Sequence, residues 1–230
     1  MHLPTEAPVM ILPSATLFPQ ALRPLYIFEP RYRRMLADAL KSNRMFSVAM
    51  QKPGRTREMP CHVAGLGLIR FSVDHEDGTS HLILQGIARV ELGETLQYKP
   101  YRVNRIRPLR PAPKDSVMVD ALAAKVHELV RERAELGPFP FPFPVAPKSA
   151  QAKAKGGAAT KSGVSVKEIL KFLENLTDVD QLADLVSPSL LTGDAERQTI
   201  LETVEVEARL KHLIRFLMAE IQRKRKSRGK

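Results

Sequence analysis

The sequence has little of the chemistry that most readily identifies a protein. Its 230 residues include one cysteine, Cys61. A single cysteine excludes an intrachain disulfide and cannot by itself make a metal site, and such sparse use of cysteine is typical of the reducing cytoplasm. We therefore predict a cytoplasmic protein. Cys61 has no neighbouring base in the sequence, so a buried strand cysteine is a better interpretation than a nucleophile.

Long apolar runs are absent as well. No run approaches the roughly 18 residues that a membrane-spanning helix needs. The opening residues MHLPTE have no basic segment and lead into no uninterrupted apolar stretch, so they do not predict a signal peptide. The sequence therefore predicts no membrane partner.

Motifs for binding nucleotides and metals are also missing. A phosphate-binding loop needs Gly-x4-Gly-Lys-[Ser/Thr], and the nearest approach, Lys161-Ser162, has Lys155 and Thr160 where the two glycines belong. The six histidines show neither an i, i+4 helical pair nor a CxxC partner. The acidic group Asp74–Asp77 lies in a predicted hairpin turn, where acidic residues are common. We predict no catalytic residue, no cofactor and no metal.

Charge, by contrast, is present in excess of one sign. The formal net charge is +11, and the excess is concentrated in residues 1–113 and 223–230. Such a basic surface has two interpretations: it binds nucleic acid or acidic polypeptide surfaces, or it only keeps the chain soluble. The hydrophobic fraction of 43% and the charged fraction of 27% are ordinary for a globular protein with a real core.

The stretch Leu25–Leu40 organises the first half of the chain. An apolar run leads to Glu29-Pro30, and proline suits a first helical position because its missing N–H has no intrahelical partner there. The apolar residues that follow fall on one helical stripe, at Tyr32, Met35, Leu36, Ala39 and Leu40. The pattern predicts an extended segment that turns into a helix packed by one face.

Short strands with turn signals surround this helix. Alternation and turn residues predict strands at 9–13, 45–50, 61–73, 81–92 and 101–106. Gly65 and Gly67 lie inside the third of these and indicate a bulge or tight bend, which a small closed barrel needs. Asp77-Gly78 predicts the turn of a hairpin. We therefore predict an α+β fold that begins with a small mixed β-barrel containing one embedded helix.

The second half is helical by its periodicity. A capping box at Ser165 and Glu168 opens one helix, and Ser187-Pro188 is predicted to end another. Alternating proline and phenylalanine after Gly137, followed by Ala, Lys and Gly, predict an extended and flexible linker. The predicted organisation is a barrel at 1–113, a connecting helix at 114–136, a linker at 137–163, a helical subdomain at 164–222 and a basic disordered tail at 223–230.

Several of these stretches carry a family resemblance. FEPRYRRM at 28–35, with ILP at 11–13 and LFP at 17–19, resembles the N-terminal, substrate-binding domain of Lon proteases. LILQGIARVEL at 82–92, with Gly86 and Arg89, is similar to a strand pattern of the same domain. Residues 173–184 and 201–210 resemble its helical half. The resemblance implies a PUA-like β-barrel followed by a helical bundle.

The resemblance also implies a function. Members of this family hold unfolded or degron-bearing polypeptides, which suggests an adaptor in protein quality control with a polypeptide ligand and a protease complex as partners. After the helical half only residues 223–230 remain, too few for the ATPase and protease modules of a Lon protease. We therefore expect a stand-alone, non-catalytic member of the family.

An apolar surface would form the polypeptide-binding site. Exposed apolar and methionine side chains suit such a surface, and the candidates are Phe18, Leu25, Tyr26, Met35, Met50 and Met59. Each is also a candidate for the core, because the same pattern builds the barrel. Three aromatics held extended by prolines either fold back onto the barrel mouth or present a strip to a partner, namely Phe139, Phe141 and Phe143.

RNA binding is the alternative function. PUA-like barrels elsewhere bind RNA, and a basic barrel face would contact phosphates through Arg31, Arg33, Arg34, Arg55, Arg57, Arg102, Arg105 and Arg107. Apart from Phe71 and Tyr101, the aromatic residues that stack on bases are not interleaved with these arginines. Dependence of binding on salt would separate the two functions.

Overall fold

The structure is a computed structural model that describes residues 2–55, 57–110, 116–141, 143 and 165–228. The chain divides into two compact units, Met1–Pro111 and Ala112–Lys230. The first unit contains the strands and one helix, and the second contains the other helices. Most of the predicted linker, residues 144–163, lies outside the described part of the chain.

The first unit contains a closed sheet. Its strands are β1 (Glu6–Leu12), β2 (Leu22–Ile27), β3 (Met45–Met50), β4 (Val63–Asp74), β5 (Ser80–Gln97) and β6 (Arg102–Leu109). The strand order is β2-β5-β4-β3-β1-β6, and a further pairing of β5 with β6 closes the sheet into a barrel. β1 and β3 pair in parallel, whereas the other pairings are antiparallel. This architecture confirms the predicted small mixed barrel.

Glycines allow the long strand β5 to pair with two other strands along one edge. β2 pairs with residues 80–85 of β5, and β6 pairs with residues 89–97. The change falls at Gly86, where a Cβ atom would lie 2.0 Å from the backbone oxygen of Phe18. A Cβ atom at Gly65 would lie 1.9 Å from the backbone oxygen of Leu17. Only glycine allows the backbone at Leu17 and Phe18 to lie so close to β4 and β5. A register shift between Leu66 and Gly67 confirms the predicted bulge.

One helix, α1 (Pro30–Lys41), connects β2 to β3 and packs on the sheet by the predicted stripe. It begins at Pro30, and its buried residues are Tyr32, Met35, Leu36 and Ala39. These side chains join a cluster that contains Phe46, Val48 and Leu84. A second cluster contains Val9, Ile11, Met45 and Ala49. β3 is therefore buried on both faces, as its continuous apolar sequence predicts.

The second unit consists of helices whose starts follow their capping residues. They are α2 (Val117–Glu135), α3 (Val166–Glu174), α4 (Val179–Leu190), α5 (Asp194–Glu202) and α6 (Val206–Arg228). The Ser116 hydroxyl accepts a hydrogen bond from the Val119 N–H. Ser165 and Glu168 form the predicted capping box. In the described part of the chain, no helix combines the length and apolar character needed to cross a bilayer.

Two helix ends differ from the prediction. α4 continues through Pro188 to Leu190. Pro188 has no N–H to donate to the carbonyl oxygen of Asp184 four residues earlier, and the complete burial of Leu190 and Leu191 offsets that loss. The tail predicted to be disordered is helical as far as Arg228. Arg223 pairs with Glu196 (3.1 Å) and Arg225 pairs with Glu132 (2.8 Å), so carboxylates of other helices hold the basic residues in place.

Candidate functional site

The barrel unit presents an apolar surface on strands β2, β5 and β4. Side chains alternate between the two faces of a strand, and directly paired residues point to the same face. The register aligns Pro24 with Ile83 and Ile83 with Phe71. In the neighbouring row it aligns Tyr26 with His81 and His81 with Val73. Leu82 and Leu84, which flank Ile83 along β5, point inward and are buried in the core.

These outward-pointing residues are exposed to solvent. We call this surface the outer apolar face and define it by Leu22, Pro24, Tyr26, Phe71, Val73 and Ile83. The exposed fraction rises from 36% for Ile83 to 69% for Phe71. Isolated exposed apolar residues are common on proteins, but a contiguous apolar patch marks an interaction surface. The outer apolar face is therefore a candidate site for an apolar ligand.

Aromatic and polar groups surround one end of this face. The Tyr26 ring stacks on Phe28 with centroids 5.8 Å apart and tilts against His81 at 4.7 Å. His81 Nδ1 lies 2.7 Å from Nε2 of His75, in the loop after β4. The face thus passes from wholly apolar side chains near Ile83, including Phe71, to amphipathic rings near Tyr26, and such rings contribute both apolar area and polar atoms to binding.

β2 also offers backbone groups. Among the described residues its one strand partner is β5, so no described strand pairs with its other edge, which we call the open edge. An open edge can pair with an extended chain, although Pro24 removes one donor from it. β2 contributes residues to the outer apolar face and also carries the open edge, so one ligand can contact both.

The predicted apolar site residues fall into three groups. Phe18, Met35 and Met50 are buried, and this corrects their assignment as contact residues, because a side chain with no exposed surface cannot touch a ligand. Leu25 is partly buried and packs against the inner core. Tyr26 lies on the outer apolar face, and Met59 is exposed on the loop between β3 and β4.

The predicted aromatic strip lies on the helical unit. The Phe141 backbone N–H donates to the Ser189 carbonyl oxygen (3.3 Å), and the Arg197 guanidinium lies 5.0 Å from the centre of the Phe141 ring. The Phe143 ring meets the edge of Phe172 at 6.3 Å. Phe139 is partly buried. Phe141 and Phe143 therefore contact residues of α3, α4 and α5 within the helical unit.

Ion pairs engage many of the predicted RNA-binding arginines. Arg31 pairs with Glu29 and Glu58, and the hydrogen bond to Glu58 is the main cause that raises the pKa of the Arg31 guanidinium. The other ion pairs join Arg34 to Asp38, Arg105 to Glu94 and Arg107 to Glu91. Arg33 lies against Gly78 of the β4–β5 loop, and Arg55 and Arg57 are exposed on the β3–β4 loop. The remaining arginine of this group, Arg102, stacks on Tyr98.

The acidic hairpin turn has a structural explanation. The Asp77 carboxylate accepts hydrogen bonds from the backbone N–H and the hydroxyl of Thr79, and these bonds lower the pKa of Asp77. Gly78 follows with a φ of 75°, as an Asp-Gly turn requires. In the described ranges, no three His, Cys, Asp or Glu side chains lie close enough together to hold a metal ion.

Sequence reasoning missed most of the outer apolar face. A signal was present: Leu82-Ile83-Leu84 and Leu25-Tyr26-Ile27 are runs of three apolar residues in strands. In a strand with one buried face, either the middle residue of such a run or its two neighbours must point outward. The register decides between these two arrangements, and the register is a property of the folded sheet.

Comparisons with known proteins match nearly the whole chain. A family model for the ATP-dependent protease La (LON) substrate-binding domain matches residues 6–219. The Lon protease of Dictyoglomus thermophilum is 24% identical over 223 residues, which make up 96% of this chain and 25% of that protein. The Lon protease of Anaeromyxobacter dehalogenans is 27% identical over 223 residues, which make up 94% of this chain and 23% of that protein. The chain thus spans about a quarter of the length of these relatives.

Solved structures share the fold. The N-terminal domain of a Mycobacterium avium complex Lon protease superposes with a TM-score of 0.68 at 18% identity, over 93% of this chain and 98% of that one. A Lon N-terminal domain protein from Xanthomonas campestris superposes with a TM-score of 0.61 at 17% identity, over 92% of this chain and 98% of that one.

Proposed function

The chain belongs to the family of Lon substrate-binding domains, and from this premise we propose that it binds unfolded or degron-bearing polypeptides on the outer apolar face. The single observation that carries the proposal is the contiguous exposed apolar surface of β2, β5 and β4. A folded protein buries most of its apolar side chains, whereas an unfolded one exposes them. An apolar surface on the receptor therefore distinguishes the two states of a client.

The open edge of β2 supports the same function. An extended polypeptide that pairs with β2 would form hydrogen bonds through its backbone, which are independent of its sequence. Its outward-pointing side chains would then lie beside Leu22, Pro24 and Tyr26 and continue the outer apolar face across the edge of the sheet. A folded client cannot offer a free extended segment, so this mode of binding adds to the preference for unfolded chains.

We propose further that the bound polypeptide is passed to a protease complex, with this chain as a non-catalytic adaptor. The support is the match to Lon proteases along 96% of this chain. The described side chains of the outer apolar face are apolar or aromatic and include no nucleophile paired with a base, so their role in this proposal is to hold the client rather than to cleave it.

RNA binding is the competing hypothesis. It rests on the net charge of +11 and on exposed arginines such as Arg55 and Arg57. The ion pairs of Arg31, Arg34, Arg105 and Arg107 compensate part of the charge that phosphates would meet. We rank it second for that reason.

Fluorescence anisotropy tests the proposal. The probe is a labelled polypeptide that reduction and carboxymethylation keep unfolded, titrated with this protein at low and high salt. We expect binding that persists at high salt, because apolar contacts are not screened. Binding that is abolished by salt, together with binding of a labelled single-stranded RNA, would refute the proposal and favour the competing hypothesis.

A further inference from the structure

A small polar pocket opens beside β1, away from the strands of the outer apolar face. It has a volume of about 90 Å³ and is lined by Arg31, Tyr32, Glu58, Tyr98, Tyr101 and Arg102, with Val9 and Ile11 of β1 at its base. A water molecule occupies about 30 Å³ in the liquid, whereas a site for a drug-sized ligand measures about 300–1,000 Å³. The pocket therefore suits one small group or the end of a chain.

The pocket exists because β6 stops pairing with β1 part of the way along. β6 pairs with residues Glu6–Val9 of β1 and no further. Beyond that point the Tyr32 hydroxyl takes the place of a strand: it donates to the Ile11 carbonyl oxygen and accepts from the Ile11 N–H, both at 3.1 Å. This edge is therefore closed to an added strand. A peptide therefore cannot add to β1 as a strand at this point, but its end is small enough to enter the pocket.

The charges around the pocket leave one cation without a carboxylate. Arg31 is engaged by Glu58 at 2.7 Å and by Glu29 at 2.9 Å. Arg102 differs, because in the described part of the chain no carboxylate lies within ion-pairing distance of it. Its Nη1 group donates a hydrogen bond to the Thr95 hydroxyl (2.9 Å), and its guanidinium stacks over the Tyr98 ring at 4.9 Å. Its Nε and Nη2 groups are thus available to a ligand.

The tyrosines add no negative charge. Burial raises the pKa of Tyr32 above its ordinary value, and burial together with the hydrogen bond to Asp38 raises the pKa of Tyr101. Both hydroxyls therefore stay protonated at neutral pH. Of the two guanidinium groups in the lining, Arg31 is engaged by Glu29 and Glu58, so Arg102 is the cation that a ligand would meet.

We propose that this pocket binds a carboxylate group through the guanidinium of Arg102. A guanidinium fork matches the two oxygens of a carboxylate, and such charge-assisted pairs are stronger than neutral hydrogen bonds. One guanidinium without a carboxylate partner suits a monoanion, whereas the nearby Glu58 carboxylate disfavours a phosphate dianion. The carboxylate has two sources: the C-terminus of a polypeptide or a small carboxylic acid. The first source rests on the proposed function, and the second does not.

Two labelled peptides test this inference. They share one short sequence and differ only at the C-terminus, which is a free carboxylate in one and an amide in the other. We expect the carboxylate peptide to bind about tenfold more tightly, since hydrogen bonds to charged groups carry this order of free energy. Arg102→Gln should abolish the preference. Arg105→Gln should retain it, because Arg105 lies on the same strand but pairs with Glu94 outside the pocket.

Further arms distinguish the sources and guard against misfolding. Sodium acetate that competes as well as the unlabelled carboxylate peptide supports a small carboxylic acid as the ligand, whereas acetate that competes far more weakly supports a polypeptide C-terminus. Phosphate that competes better than acetate overturns the charge argument. Tyr98→Leu removes the stacking contact of Arg102 at an exposed position, so it should weaken the preference without unfolding the barrel. Equal affinity for the two peptides, or a preference that survives Arg102→Gln, would overturn the inference. Capture of unfolded polypeptide that survives high salt would then still support the proposed function.

Discussion

Replacing the centre of the outer apolar face should remove binding of unfolded polypeptide without unfolding the protein. Phe71 and Ile83 are paired directly across β4 and β5. The double variant Phe71→Thr/Ile83→Thr keeps residues that favour strands but removes most of the apolar area. Phe71 is largely exposed but only 36% of Ile83 is, so we expect the free energy of unfolding to fall by about 1–2 kcal/mol, which leaves the barrel folded.

The expected loss of affinity follows from the area that a ligand can still cover. Complete burial of a Phe or Ile side chain contributes about 1.5–3 kcal/mol. Since 69% of Phe71 and 36% of Ile83 remain exposed, a client can gain about 1.5–3 kcal/mol from the pair. Each 1.4 kcal/mol corresponds to a tenfold change, so the dissociation constant should rise about 10- to 100-fold.

The assay is anisotropy with the unfolded probe at high salt, combined with urea unfolding of each variant. Val117→Thr is the matched control, because Val117 is 86% exposed but lies on α2 in the helical unit. The control should bind as the parent does. Unchanged affinity of the double variant would refute our assignment of the surface, and an equal loss in the control would show that any exposed apolar residue contributes.

Three further predictions concern stability. Gly86→Ala should destabilise the barrel by at least about 1–3 kcal/mol in urea unfolding, because the new Cβ atom would lie 2.0 Å from a backbone oxygen. Gly93→Ala is the control and should be tolerated, because the nearest atom to its Cβ would lie at 3.5 Å. Arg209→Met should lower the free energy of unfolding by about 3–5 kcal/mol, because Arg209 is fully buried and donates to Asp180 at 2.7 Å. Arg215→Met is the control at an exposed position and should have little effect. Similar losses of stability in both variants would contradict this reasoning. The raised pKa of Tyr32 means that the unfolded chain ionises this group first, so stability should hold below about pH 10 and fall as pH rises further. Tyr32→Phe should show a smaller fall between pH 9 and 11 in urea unfolding, and an unchanged fall would argue against this cause.

Local sequence predicted the elements well where the physical cause is local. The stripe from Tyr32 to Ala39, the capping box at Ser165 and the Asp-Gly turn each depend on residues within a few positions of one another. The glycines at 65 and 67 indicated a bulge because few other residues explain glycine inside a strand. These features required no knowledge of what lies across the fold.

Other expectations depended on distant neighbours. Basic residues at 223–228 read as a disordered tail, but Glu196 and Glu132 lie on other helices and pair with them. Pro188 was expected to end its helix, but the burial of Leu190 and Leu191 offsets the hydrogen bond that Pro188 removes, and the helix continues. Local patterns cannot report on partners that are far apart in the sequence.

Sequence by itself determined that this chain forms a mixed barrel followed by helices, and its motifs pointed to the Lon substrate-binding family. Only the tertiary structure decided which apolar side chains face outward. Phe18 and Tyr26 look alike in the sequence, yet Phe18 is buried and Tyr26 is half exposed. The reason is that strand register decides which face each residue occupies, and a shift of one residue exchanges the two faces. The Arg102 pocket has the same origin, because its walls come from strands, a helix and a loop that meet only in the folded barrel.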